Sequence, residues 1–184
     1  MLSAVAVCSQ ALNLLRCDPI ESLDDESSNG AIVAKAHYDV ERKLMLARYR
    51  WNFAHKAEVL SPVSGAPQVE RYKFAFKIPQ DCLSVVVVEN EPDARIYGDF
   101  IYANSDEITV EYIENPDETK TPVWFDEALK YRLAFVFAVP MTGKTELADY
   151  FFNQCEIAIK EALRIDAQQS PVPAFRVRAL GGWR

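Results

Sequence analysis

Gly143-Lys144-Thr145 copies the end of a phosphate-binding loop, in which main-chain N–H groups cradle phosphates and a lysine neutralises them. The full loop also needs glycine at position 138, which is Ala138, and Pro140 removes one N–H from the cradle. Phosphate cradles of this kind lie between a strand and a helix, whereas the apolar stretch before Gly143 reads as a helix. The expectation is a helix–turn–helix joint, with nucleotide binding as a weaker alternative.

Other chemistry is thinner. A zinc site needs a closely spaced His or Cys set, but His37 and His55 stand eighteen residues apart and no C-x-x-C pair exists. His37 falls on an apolar helix stripe and reads as a packing residue. There is no G-x-S-x-G, and nothing local supports a dyad of Cys82 with either histidine. Glycoside cleavage needs only two placed carboxylates, and 27 acids offer many pairs, so a glycan hydrolase stays as an alternative. Tyr72, Phe74 and Phe76 alternate with Arg71, Lys73 and Lys77, as in a platform that stacks single-stranded nucleic acid. The aromatic and basic residues fall on opposite faces, which favours a core strand. No catalytic, metal-ligating or cofactor-binding residue is expected.

Composition narrows the class. The chain has 184 residues, 49% of them hydrophobic and 26% charged, an ordinary globular mix for one domain. The net charge is −7, which argues against gripping DNA through its phosphates but suits a wall past which DNA slides. Cys8, Cys17, Cys82 and Cys155 lie in or beside apolar stretches and read as free thiols in a reducing compartment. The apolar runs are too short for a membrane span, and Met1 to Val7 lacks the basic start of a secretory leader.

Periodicity then supplies the elements. Helices are predicted over 3–16, 30–54, 123–139 and 144–168. In the second, Val33, His37, Val40, Leu44, Ala47 and Trp51 form the stripe expected to face the core. The third is expected to end at Pro140. A β region of four or five short strands is expected over about 57–114, with strands near 72–78, 83–88, 95–97, 100–102 and 108–113. The 83–88 strand is nearly all apolar and is expected to be buried on both faces. Residues 169–184 carry Pro171, Pro173, Phe175, Arg176, Arg178, Trp183 and Arg184, with no acid after Asp166. They are expected to form an arm that orders on a partner.

The order of certain phrases carries a resemblance. Arg50-Trp51-Asn52-Phe53-Ala54 comes first, then Ile78-Pro79-Gln80-Asp81-Cys82-Leu83. Pro122-Val123-Trp124-Phe125-Asp126 follows, then Leu133-Ala134-Phe135 and Val139-Pro140-Met141-Thr142-Gly143. This set, from about Ala4 to about Asp166, resembles the phage head-to-tail adaptors known as tail tubular protein A. The resemblance implies an α+β fold that is mainly a helical bundle of about four helices with an inserted small antiparallel β region. It implies one adaptor domain over 1–168 and a C-terminal arm. It also implies a non-enzymatic virion subunit of a phage or prophage, made in the host cytoplasm. Such subunits form a twelve-fold ring under the portal protein, join it to a tail or nozzle protein, and let DNA pass. A tail-associated glycan hydrolase is the alternative in that setting. Aromatic residues at helix or chain ends suit interfaces, so Trp51, Phe53, Phe175, Arg176, Arg178, Trp183 and Arg184 are the expected portal or subunit contacts.

Overall fold

A computed structural model describes residues 2–65 and 69–169. The first helix, α1 (Ala4–Leu14), starts where the Ser3 hydroxyl accepts the Ala6 N–H at 3.2 Å. The second, α2 (Asn29–Arg48), starts in the same way, with Ser28 Oγ accepting the Ala31 N–H at 3.3 Å. These side-chain oxygens satisfy N–H groups that have no partner inside the helix.

α2 stops at Arg48, not at 54. Tyr49 is extended (φ −124°, ψ 151°), and a 3-10 turn at Asn52–Ala54 leads into the first strand, β1 (His55–Leu60). Two contacts, one local and one made far along the chain, stop the helix. Trp51 turns inward and donates its indole N–H to the Met45 carbonyl at 3.0 Å. The Asp166 carboxylate takes the Asn52 N–H at 2.6 Å and the Phe53 N–H at 3.4 Å. Those N–H groups would otherwise continue the helical ladder.

The strands that follow are β2 (Phe74–Lys77), β3 (Cys82–Glu89), β4 (Arg95–Tyr97), β5 (Phe100–Ala103) and β6 (Ile108–Glu114). They form two antiparallel sheets of three strands, ordered β1-β6-β3 and β2-β5-β4. In the first, Lys56 stands opposite Tyr112 and Leu60 opposite Ile108. One face of that sheet packs on the other sheet through Leu60, Phe76, Ile101, Ile108, Val110 and Tyr112, which form a core of their own. Its opposite face meets the helices through Ile113, Leu83 and Val86.

This corrects the expectation of a mainly helical bundle with a small β insertion. The described residues are about 48% helical and 19% strand, an α+β fold in which the strands build a second core. β1 makes the difference. A helix through 54 leaves no strand expected over His55–Leu60, yet that strand pairs with β6 from Ile108 to Ile113. The strand expected to be buried on both faces, β3, is only half-buried, with Val87 exposed. Register shifts between Cys82 and Ser84 and between Val85 and Val87 twist it away from full cover.

The third helix, α3 (Val123–Thr142), contains Pro140 instead of ending before it. Proline removes one ladder bond, but it sits in the last turn, where little helix remains to be disrupted. The Thr142 hydroxyl donates to the Ala138 carbonyl at 2.6 Å. Gly143, at φ 68°, supplies the left-handed stop and donates its N–H to the Val139 carbonyl at 2.8 Å. The fourth helix, α4 (Thr145–Ala167), returns along α3. α3 also packs on α1 and α2, which is why its sequence is apolar on so many sides. Of the expected C-terminal arm over 169–184, all but Gln169 lies outside the described residues.

Candidate functional site

The residues singled out for chemistry are dispersed. Gly143 is the stop of α3, and the Lys144 N–H donates to Thr142 Oγ1 at 3.2 Å, so this segment is a helix joint. His37 is half-buried beside the Phe137 ring, at 6.5 Å between centroids. His55 lies on the outer face of β1, with its Nε2 3.2 Å from Glu111 Oε2. All four cysteines are free. Burial pushes the Cys8 thiol up to about 12 and that of Cys155 up to about 11, so neither is a nucleophile near neutrality. Among the described residues no group of three or more His, Cys, Asp or Glu is arranged to hold a metal ion, and no helix is long and apolar enough to cross a membrane.

The densest polar cluster stands at the edge of the two sheets. Lys56 Nζ lies 2.9 Å from Asp81, 3.5 Å from Glu58 and 4.0 Å from Glu114. The Tyr112 hydroxyl reaches Glu58 at 2.9 Å and Asp81 at 3.1 Å. Hydrogen bonds from Lys56 and Tyr112 hold the Asp81 carboxyl below the usual carboxylate range, while burial pushes the Tyr112 phenol up to about 12. Bonds to Tyr112 and Asp81 likewise raise Lys56. Asp81, Tyr112 and Lys56 are each driven away from neutrality, the opposite of what a general acid or base requires. The cluster instead clasps the turn before β3: Asp81 also accepts the Asn115 N–H on its carbonyl at 2.7 Å.

Two further joints lie in the helical layer. Asp126 accepts the Leu2 N–H at 3.1 Å and the Thr121 hydroxyl at 2.9 Å, and burial raises its pKa. Glu118 accepts the Ala4 N–H at 3.0 Å. Asp166 makes the joint with Asn52 described above, and its carbonyl accepts the Asn52 side-chain amide at 2.9 Å. Most of the phrases that run in order through the sequence are therefore joints of the fold; Leu133-Ala134-Phe135 lies inside α3.

This placement decides two of the expected contact residues. Trp51 is fully buried, with rings of Tyr49, Phe53 and Phe125 around it, so it offers no surface to a partner. Phe53 is half-buried and stacks edge-on to Phe125 at 5.3 Å. Phe175, Arg176, Arg178, Trp183 and Arg184 lie outside the described residues.

The surface that sequence reasoning assigned wrongly is on α2. The stripe expected to face the core is split: Val33 and His37 are half-buried, but Val40 and Leu44 are each 54% exposed, and Ile32 on the same helix is 50% exposed. The face that packs carries Gly30, Ala31, Ala34 and Tyr38, together with Glu41 and Arg42. A Cβ on Gly30 would come within 3.1 Å of Leu12, so the helices meet through small residues. Glu41 accepts the Arg132 guanidinium at 2.7 Å. Arg42 donates to Asn115 Oδ1 at 2.7 Å and to the Pro116 carbonyl, pinning the loop after β6. Buried ions are tolerated when paired or hydrogen-bonded, and here Val40 and Leu44 turn outward while Met45 and Leu46 stay buried with the two charged residues. At the end of α2 a cleft of about 330 Å³ opens beside this stripe, lined by Leu44, Met45, Tyr49, Arg132, Glu156 and Ile159. The sequence signal was the run Ala31, Ala34 and Tyr38, spaced as a helix face but too small to be scored as a hydrophobic stripe.

Comparison of the sequence with protein-family models and with curated proteins gave no match.

Proposed function

We propose that this chain is a structural subunit of a head-to-tail adaptor of a tailed phage or prophage. In that role it forms a ring beneath the portal protein, joins it to the tail or nozzle protein, and gives DNA a path through. The observation that carries the reading is the inversion of α2: the helix buries Glu41 and Arg42 while Ile32, Val40 and Leu44 stand half in water. Contiguous exposed aliphatic surface beside a cleft is the usual mark of an interaction surface. An unlike pair of surfaces repeated around an axis closes a ring. The net charge of −7 suits a lining that does not hold the DNA backbone. The ordered phrases add the resemblance to tail tubular protein A, and all but Leu133-Ala134-Phe135, which lies inside α3, fall on joints of the fold.

The reading is non-enzymatic. The glycan-hydrolase alternative has no observation in its favour: the carboxylates clustered on the sheet, Glu58 and Asp81, are tied to Lys56 and Tyr112. The nucleotide-binding alternative has none either, since Gly143 closes a helix.

Light scattering of the chain, alone and with the cognate portal ring, tests the proposal. The expected outcome is a defined complex carrying a ring of copies on the portal. A chain that stays monomeric with its portal at high micromolar concentration sinks the adaptor reading.

A further inference from the structure

Two surfaces of the helical layer are apolar, exposed and unlike each other. The first is the outer face of α2. Ile32, Ala36, Val40, Leu44 and Ala47 are all exposed and recur every three or four residues, so they form one ridge about 22 Å long. Its C-terminal end is basic. Lys43 and Arg48 border Leu44, and Arg48 has no carboxylate partner among the described residues; its guanidinium lies over the Tyr49 ring. The second surface is a cleft of about 450 Å³ between the start of α3 and the end of α4. Val123, Trp124, Ala158 and Ile165 line it, with the exposed acids Glu127 and Glu161 at the rim. Val123 is 65% exposed although it opens an apolar helix, and Ile157, next to Ala158, is 61% exposed. Tryptophan, as at Trp124, is a common anchor of protein interfaces.

Within one chain the ridge does not reach the cleft. α2 and α4 both pack on α3, which stands between them. At 3.6 residues per turn, Ala158, Glu161 and Ile165 lie on one flank of the buried stripe of α4, and Glu156, which faces the end of α2, lies on the other. A second copy of the chain can supply the ridge. Charge selects the orientation. The chain carries a net charge of −7, so two copies repel in most approaches, whereas this one brings a basic end to an acidic rim. Each rim acid is about half exposed and paired only within its own helix, Glu127 with Lys130 and Glu161 with Arg164. Pairs of that kind are weak enough to be shared with a partner.

We propose that Val40 and Leu44 of one copy seat in the α3–α4 cleft of the next, with Lys43 and Arg48 beside Glu127 and Glu161. The two surfaces differ, so a bound pair still offers one free ridge and one free cleft, and the contact repeats until it closes. The inference rests on the adaptor reading for the ring and names the second of the two unlike surfaces that a ring needs.

The test uses two full-length variants, Leu44→Cys and Ala158→Cys, in a Cys17→Ser, Cys82→Ser background that leaves only the buried Cys8 and Cys155. Oxidised at high micromolar concentration with no other protein present, the mixture should give about tenfold more disulfide-linked dimer than either variant alone, because a disulfide forms only across a short Cα separation. A chain carrying both cysteines should run to a ladder of three or more copies. Adding Lys43→Glu to the first variant should cut the mixed dimer about fivefold, and adding Glu161→Lys to the second should restore it. No excess of dimer in the mixture overturns the proposal. Dimer from Leu44→Cys alone as readily as from the mixture also overturns it, because two α2 ridges then pair with each other. Light scattering with the portal is read separately. A ring on the portal without the mixed disulfide strikes this contact and leaves the adaptor reading standing. The mixed disulfide without a ring on the portal supports the contact and removes the adaptor reading.

Discussion

In the helical layer the carboxylates that close the joints are buried. Asp126 and Asp166 are each 2% exposed and accept main-chain N–H groups from segments over a hundred residues away in sequence. In the two-sheet unit the clasp of Lys56, Glu58 and Asp81 stands at the edge, with each side chain more than a third exposed. The helical layer is thus held by hydrogen bonds in a low-dielectric interior, and the sheets by a screened ion-pair network around one deeper tyrosine. The least salt-sensitive contacts thus lie in the helices that carry the open face of α2.

The largest effect should come from the core that the joints enclose. Trp51→Ala removes a fully buried indole and is expected to cost about 4 kcal/mol. Phe76→Ala empties the smaller core between the sheets and is expected to cost about 3 kcal/mol. If the two units differ as described, hydrogen exchange in Phe76→Ala should accelerate across β2, β4 and β5 while α3 keeps its protection. Equal loss of protection in α3 would show a single cooperative core and break the comparison.

The joints come next. Asp166→Ala strands two main-chain N–H groups and should lower stability by about 2 kcal/mol, nearly independent of salt. Asp81→Ala should have a smaller effect that fades with added salt, since its partner Lys56 is exposed to solvent. Urea unfolding at low and at 1 M salt, a range over which screening tightens to about 3 Å, separates the two. A strongly salt-dependent Asp166 would reverse the assignment.

Much of this was legible in the sequence, and its failures have physical causes. The first two helices were legible, and both start at a serine cap, Ser3 and Ser28, which is a local interaction. The strands at Phe74–Lys77 and Ile108–Glu114 were legible from aromatic and β-branched alternation. β1 was not: His55-Lys56-Ala57-Glu58-Val59-Leu60 has low strand propensity and is a strand because β6 pairs with it. The stop of α2 was missed for the same reason, since the carboxylate that ends it is Asp166. On α2 the period was right and the face wrong. Hydrophobic patterning assumes that the largest aliphatic residues go inside, and close packing through Gly30, Ala31 and Ala34 with two satisfied charges defeats that assumption. Trp51 shows the converse: an aromatic residue at a helix end looked like an interface residue and is the centre of the core.

The two aspartates also differ in how they titrate, which sharpens the comparison. Burial raises Asp126 above its ordinary value of 3.8, so the folded chain binds that proton more readily than the unfolded chain. Its contribution to stability is complete below 3.8 and is lost as pH rises through the raised value. Asp81 is lowered, chiefly by its bond to Lys56, so its contribution is present above 3.8 and is lost as pH falls through the lowered value. Carboxyl carbon titration should give midpoints on opposite sides of 3.8. Both midpoints on one side would mean that one of the joints has been misassigned.

The smallest effect on stability should come from the face of α2 that the adaptor proposal assigns to assembly. Leu44→Asp and Val40→Asp place a carboxylate where the side chain already stands in water, so the free subunit should change by no more than about 0.5 kcal/mol. A buried aliphatic residue replaced by aspartate would instead cost several times as much, as Met45→Asp on the opposite side of the same helix should. Thermal melts of the three variants therefore test which face of α2 packs. Light scattering with the portal then tests what the open face is for. Leu44→Asp should fold normally and fail to join the ring, because a lone charge facing a partner's apolar surface loses its water without gaining a counter-ion. A Leu44→Asp subunit that still completes the ring would leave α2 as an ordinary solvent face. The adaptor proposal would then need another surface to carry it.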